Sequence, residues 1–317
     1  MISPCDSHST LVKPDNALGM DIACMTSQTS STPAAPSRAT TSALNSWMLR
    51  PKPLPEACLT LLCFHYAGGN ALVFRRWPDY LPAEIEVWAM QLPGRGNLFR
   101  EAPFTYLEPL RDVLVTTLRP HLERPFAIFG YSMGALVAFE FIRALRRQHL
   151  PLPVHLFVAA RRAPQLPPPR NHLLSGLPDA DILDLLRRDG NTIIENIVDN
   201  SVLLGRMLAT LRADCQVAEH YVYSAEAPLP CPITAFGGAS DPYIHPEHLQ
   251  EWRAQTTNTF SMQSFAGGHF FLQNAEPLLA ASIAHALRPL CSPATPPLED
   301  VKALSTSRDT IGLEQYA

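Results

Sequence analysis

Phe126-Ala127-Ile128-Phe129-Gly130-Tyr131-Ser132-Met133-Gly134-Ala135 is the stretch that decides how this 317-residue chain is read. Residues 130–134 have the form Gly-x-Ser-x-Gly. The apolar run before them reads as a buried strand, and residues 135–145 carry the Leu, Ala and Phe spacing of a helix packed on a sheet. A strand, a sharp turn and a helix in that order make a nucleophile elbow, with Ser132 at the corner. Glycine at 130 and 134 suits such a corner, because it tolerates unusual dihedrals and lets neighbouring backbone approach.

Outward from the elbow, apolar runs alternate with helical patterns, which implies a mostly parallel sheet flanked by helices. Strands are expected at 59–64, 86–90, 126–129, 154–159, 233–237 and 261–265, and helices at 70–77, 107–122, 135–149, 245–255 and 277–287. Right-handed crossovers between such strands place functional residues at their C-terminal ends. From 161 to 221 the alternation breaks into the Pro-rich 165–169 and two helical segments, 179–189 and 201–221, with no convincing strand. That stretch reads as an inserted helical lid. Most of its apolar residues are expected to pack the lid onto the body, with Leu204, Met207 and Leu208 as candidates for lining an acyl channel.

The rest of the chain sets bounds. Residues 1–45 are rich in Ser, Thr, Pro and Ala and too poor in apolar surface to offset their ordering entropy, so a disordered N-terminal extension is expected. A flexible tail is expected over 292–317, leaving 50–290 as the folded domain. A net charge of −4 leaves no basic footprint for nucleic acid. The Arg pairs at 75–76, 146–147, 161–162 and 187–188 read as solvated surface. No apolar run approaches the length of a membrane span, and the start lacks the pattern of a secretory signal, so a cytoplasmic protein without membrane association is expected. Seven scattered cysteines show no metal-ligand spacing; they read as buried or incidental thiols, with neither a metal site nor a disulfide frame.

A serine hydroxyl is a weak nucleophile near neutral pH and needs a base that is itself held by an orienting group. In this fold the partners follow in the order Ser, acid, His. Asp241, in Gly237-Gly238-Ala239-Ser240-Asp241-Pro242, and His269, in Gly267-Gly268-His269-Phe270-Phe271, each follow an expected strand. Alone, the first is a turn-forming Asp-Pro and the second a loop histidine; their joint order and setting make them the acid and the base. Among rival histidines, His65 precedes Ser132, and His245 and His248 fall in or near a surface helix. Two backbone N–H donors must stabilise the oxyanion. Met133 supplies one. Ala67, in the glycine-rich loop Phe64-His65-Tyr66-Ala67-Gly68-Gly69, is the choice for the other.

With Phe74-Arg75-Arg76-Trp77, Gln91-Leu92-Pro93-Gly94-Arg95, Arg161-Arg162-Ala163-Pro164 and Leu211-Arg212-Ala213-Asp214 added to these motifs, the chain resembles the external, type II thioesterases of non-ribosomal peptide and polyketide synthesis over about 55–290. The resemblance implies an α/β-hydrolase fold with a helical lid, the triad Ser132–Asp241–His269, and removal of misprimed or stalled acyl groups from acyl- or peptidyl-carrier proteins bearing phosphopantetheine. It also implies a monomer, and because a thioester is already activated no cofactor is expected. His65 stands where the family usually has Pro, which puts a titratable group near the site. Leu98 stands where a second basic residue often follows, at what reads as a surface position. The triad alone is compatible with a small-ester hydrolase or an acyltransferase, and a non-catalytic carrier-binding protein could retain the same scaffold.

Overall fold

The computed structural model describes residues 46–167, 173–191, 195 and 197–291. Its centre is one seven-stranded sheet in the order β1-β3-β2-β4-β5-β6-β7. The strands are β1 (Met48–Leu49), β2 (Leu59–Phe64), β3 (Ile85–Met90), β4 (Phe126–Tyr131), β5 (His155–Ala159), β6 (Ile233–Gly238) and β7 (Phe260–Phe265). All pairings are parallel except that of β1 with β3. The expected extension 1–45 and tail 292–317 lie outside the described residues.

Strands β2 to β6 are buried along their whole length, as a parallel sheet covered on both faces requires. The two-residue side-chain period sorts them into two cores. Leu62, Phe64 and Ile128 face one layer, and Leu61, Cys63, Phe129 and Tyr131 face the other. On the first face pack α1 (Leu107–Leu118) and α2 (Met133–Arg147); on the second packs α6 (Leu272–Cys291). Helix α1 buries Leu107, Leu110, Leu114 and Leu118, the stripe expected of a surface helix.

Differences from the sequence expectations have local causes. Helix α1 stops at Leu118 instead of 122, because Pro120 has no N–H to continue the ladder; a 3-10 turn over Arg119–His121 follows. Pro78 likewise lies in the second of two 3-10 turns, Ala71–Phe74 and Trp77–Asp79, that replace the single helix read over 70–77. The helix read over 245–255 is a short α5 (Pro246–Gln250) continued by a 3-10 turn to Gln255. Strand β1 gave no periodic signal in two residues; it forms through its register with β3, Met48 opposite Met90.

The cysteine reading needs correction. Cys58, just before β2, and Cys291, the last residue of α6, form a disulfide across a separation of 233 residues, which no local spacing announces. Cys63, Cys215 and Cys231 are free and buried. No group of metal-binding side chains occurs among the described residues, and none of their helices is long and apolar enough to cross a membrane.

Between β5 and β6 lie α3 (Asp179–Arg188) and α4 (Ser201–Glu219), near the expected 179–189 and 201–221. Asn200 caps α4 by accepting a hydrogen bond from the Leu203 amide at 3.1 Å.

Candidate functional site

Strand β4 extends two residues beyond the expected 126–129 and ends at Tyr131, so Ser132 is the single residue between strand and helix. Its φ of 52° and ψ of −112° are strained for a residue with a side chain. The surroundings hold it there. The Ser132 amide donates to Ala159 O at 2.8 Å. A Cβ on Gly130 would stand 2.5 Å from the Ala135 Cα, and one on Gly134 2.6 Å from His65 O, so both glycines are required by backbone in close approach.

The structure brings Ser132, Asp241 and His269 together. Ser132 Oγ lies 3.2 Å from His269 Nε2, and His269 Nδ1 lies 2.8 Å from Asp241 Oδ2. The side chain of Asp241 is fully buried and that of His269 16% exposed, so of this pair only the imidazole reaches solvent. The other carboxylate oxygen, Oδ1, accepts from the amides of Tyr243 at 2.9 Å and Ile244 at 3.1 Å. Burial opposes ionisation of Asp241, but the hydrogen bond and charge of His269 and these two amides outweigh it and hold its carboxyl below the ordinary aspartate range. An ionised Asp241 accepts the Nδ1–H of His269 and leaves the Nε2 lone pair facing the serine.

Two tyrosines that sequence reasoning passed over hold the histidine. Tyr131 donates its buried hydroxyl to His269 O at 2.6 Å, which fixes the loop after β7. Tyr243 meets the His269 ring edge to face at 5.9 Å and donates to Asp189 Oδ1, just past α3, at 3.0 Å. Only Tyr131 had a signal in the sequence, its place inside the elbow. The rivals sit elsewhere: His245 and His248 cap α5, with the His245 amide donating to His248 Nδ1 at 3.2 Å.

The loop after β2 carries Ala67. Its shape is set by Gly68, at φ +74°, and by the Gly69 amide, which donates to Tyr66 O at 2.9 Å. His65 is 1% exposed, and its Nδ1–H donates to Tyr66 O at 2.8 Å. Burial first, and then the charge of Arg95, lower its pKa to about 4, so the titratable group introduced at 65 is neutral at ordinary pH. Met133 opens α2 and is buried.

Ala67 and Gly68 also line a cleft closed by Leu186, Ile197, Met207 and Leu211. Of the three lid candidates, Met207 lines this cleft, whereas Leu208 is buried in the core and Leu204 half-buried beside it. Leu98 is 4% exposed, a core residue where a surface contact was expected. Two Arg pairs also depart from plain solvated surface. Arg161 and Arg162 are half-buried, with burial lowering the pKa of Arg161 to about 10, and Arg146 and Arg147 pair with Glu226.

Residues 59–287 match the family model described as the thioesterase domain. Gramicidin S biosynthesis protein GrsT of Aneurinibacillus migulanus is 38% identical over 254 residues, 80% of this chain and 98% of that protein. A protein of Brevibacillus parabrevis named linear gramicidin dehydrogenase LgrE is 44% identical over 245 residues, 76% of this chain and 92% of its own length. The present chain contains no Gly-x-Gly-x-x-Gly dinucleotide fingerprint to accompany the second name. Among solved structures, the RedJ thioesterase from the prodiginine pathway of Streptomyces coelicolor is 38% identical with a TM-score of 0.69, covering 75% of this chain and 89% of that one.

Proposed function

The chain belongs to the thioesterase family of α/β-hydrolases, and from that premise we propose that it hydrolyses acyl groups from the phosphopantetheine thiol of a carrier protein by a serine acyl-enzyme route. The observation that carries the reading is the relay from Ser132 Oγ through His269 to Asp241, three residues that each follow a strand of one mostly parallel sheet. Relatives whose names place them in gramicidin S and prodiginine biosynthesis support the substrate class.

In the proposed sequence Ser132 Oγ attacks the thioester carbonyl carbon as its proton passes to His269 Nε2. The carbonyl oxygen becomes an oxyanion held by the N–H groups of Met133 and Ala67. The first of these gains from the positive end of α2. The C–S bond breaks, and the pantetheine sulfur leaves with the proton from His269. A water deprotonated by His269 then attacks the acyl-Ser132 ester and frees the carboxylic acid and the serine hydroxyl. Asp241 stays ionised throughout and stabilises the imidazolium of each half-reaction. Thioesters are activated already, so the scheme needs no metal or organic cofactor.

On this reading 50–290 is the catalytic unit and α3 and α4, within 161–221, are its lid. The cleft beneath them, lined by Leu186, Met207 and Leu211, is where the acyl group is placed. The test is mass spectrometry of a panel of acylated carrier proteins incubated with wild-type enzyme and Ser132→Ala. Wild type releases free acid and holo-carrier, and the variant releases neither. Hydrolysis by Ser132→Ala at the wild-type rate would remove the serine from the mechanism, and wild-type turnover confined to oxygen esters would remove the carrier.

A further inference from the structure

One buried ion pair ties α4 to the loop that carries Ala67. Arg95 donates from Nη1 to Asp214 Oδ2 at 2.6 Å and from Nη2 to Asp214 Oδ1 at 2.7 Å, a two-pronged pair with side chains 7% and 4% exposed. Asp214, on α4, also accepts the Gly68 amide at 2.8 Å. Arg95 in turn donates to Gly69 O at 3.0 Å and, from Nε and Nη2, to Pro93 O at 3.2 Å. One turn earlier on α4, Thr210 donates to Gly94 O at 3.0 Å. Leu211, between them, packs so close to Gly68 that a Cβ there would stand 3.1 Å from its Cδ1. Residues 210, 211 and 214 form one face of α4, and that face is bolted to the loops after β2 and β3.

The chemistry of the pair makes it a fixed point. A guanidinium and a carboxylate out of water are costly unless every hydrogen-bonding direction is met, and here the leftover donors and acceptors fall on loop backbone. The Gly68 amide belongs to the peptide that follows Ala67, so its direction fixes one of the two peptide planes that meet at Ala67. If α4 swings away, Asp214 leaves with it, the amide loses its acceptor, and Arg95 loses the group that aims it at Gly69 O.

We propose that Arg95 and Asp214 are positioning residues that hold the Ala67 N–H in its oxyanion-stabilising place only while α4 is docked, so that closure of the lid over an acyl group completes the donor pair. This rests on the serine mechanism above and assigns it a conformational condition. Docking of α4 and stabilisation of the oxyanion then reinforce each other, and the reinforcement is reciprocal.

The test uses Asp214→Asn and Arg95→Lys in the full chain with two pantetheine probes. A trifluoromethyl ketone adds Ser132 and develops an oxyanion; a thioether of the same acyl length cannot. Both variants are expected to lose kcat by about 10- to 100-fold and to lose ketone affinity by about the same factor, while KM and thioether affinity change less than about twofold. A merely structural pair would lower the melting temperature and leave those ratios alone. Either variant, folded by near-UV circular dichroism, retaining kcat within about twofold would overturn the proposal, as would equal losses for ketone and thioether. Hydrogen exchange on the wild-type enzyme decides the matter even if the variants do not fold. Saturating ketone should slow amide exchange over 207–217, and unchanged exchange there refutes the coupling. Ser132→Ala, run in parallel, separates the two levels. Full activity in it sinks the serine mechanism itself, and an inert Ser132→Ala beside a wild-type-like Asp214→Asn sinks only the coupling.

Discussion

Replacing Gly134 by Ala sets two known effects against each other. Gly134 lies in the first turn of α2, where alanine is favoured over glycine by about 1 kcal/mol on helix propensity alone. Against that, the added Cβ would stand 2.6 Å from His65 O and nearer still to Phe64 O, where real contacts essentially never fall below 3.0 Å. The helix must therefore separate from the end of β2 and its following loop by more than about 0.4 Å, and neither obstacle is a side chain that can rotate aside. Overpacking of this kind costs roughly 1–3 kcal/mol and outweighs the propensity gain. A lower melting temperature, by a few degrees, is the expected result for a domain of this size. The functional effect should be larger, because the two parts that separate carry the two proposed oxyanion donors, Met133 on α2 and Ala67 on the loop. A displacement of that size predicts a fall in kcat of about 10-fold or more with little change in KM, read as single-turnover release of acid from an acylated carrier. Gly134→Ala with a raised melting temperature and unchanged kcat would refute the reasoning, since propensity would then have won and the close approach would not govern the site.

Other expectations follow from the relay and its neighbours. Asp241→Asn should fold and lose about 10⁴-fold in kcat, because an amide no longer enforces the Nδ1–H tautomer of His269; stopped-flow acylation by a carrier-bound thioester measures it. Because the Asp241 carboxyl is held below its ordinary value, its stabilising effect is present above about pH 4 and lost as pH falls through the lower folded value, so wild type should lose more stability than Asp241→Asn on acidification below pH 4. His65, neutral in the fold down to about pH 4, has the same sign through a different route. Stability should decline as pH falls from about 6.5, where the unfolded chain begins to bind the proton, towards 4, and His65→Gln should flatten that decline in urea unfolding. Tyr131→Phe, which deletes the donor to His269 O, should cost about 1–3 kcal/mol of stability and reduce kcat more than KM, checked by denaturant titration beside steady-state kinetics.

The parts of the fold that were legible in the sequence are those whose signal is local and repeated. The continuous apolar runs of β2 and β4 and the alternation with helices announced a parallel sheet, and the order of Ser132, Asp241 and His269 announced which side chains would meet. Features that depend on distant partners were not legible. Strand β1 exists because β3 offers it an edge. The Arg95–Asp214 pair spans 119 residues, so each half looked only like a motif. Which of Leu204, Met207 and Leu208 would line the cleft depends on the rotation of α4 about its axis, and that rotation is fixed by the contacts of Thr210, Leu211 and Asp214 with two loops. Proline explains the early end of α1, since an apolar stripe can continue past the residue where the hydrogen-bond ladder fails, whereas α6 runs beyond the expected 277–287 at both ends with Pro277 and Pro289 inside it.

The disulfide between Cys58 and Cys291 bears on how this body responds to force. It joins the residue before the first long strand to the last residue of the last helix, so the sheet from β2 to β7 lies within one covalent ring. A pull applied across the described residues would load β1, which lies outside the ring, and then run through the sulfur bridge, passing by the residues between the two cysteines and sparing the serine turn and its partners. Once the bridge is reduced, the same pull would also reach β2 and α6, the elements next to the two cysteines, and β2 is the strand whose following loop carries Ala67.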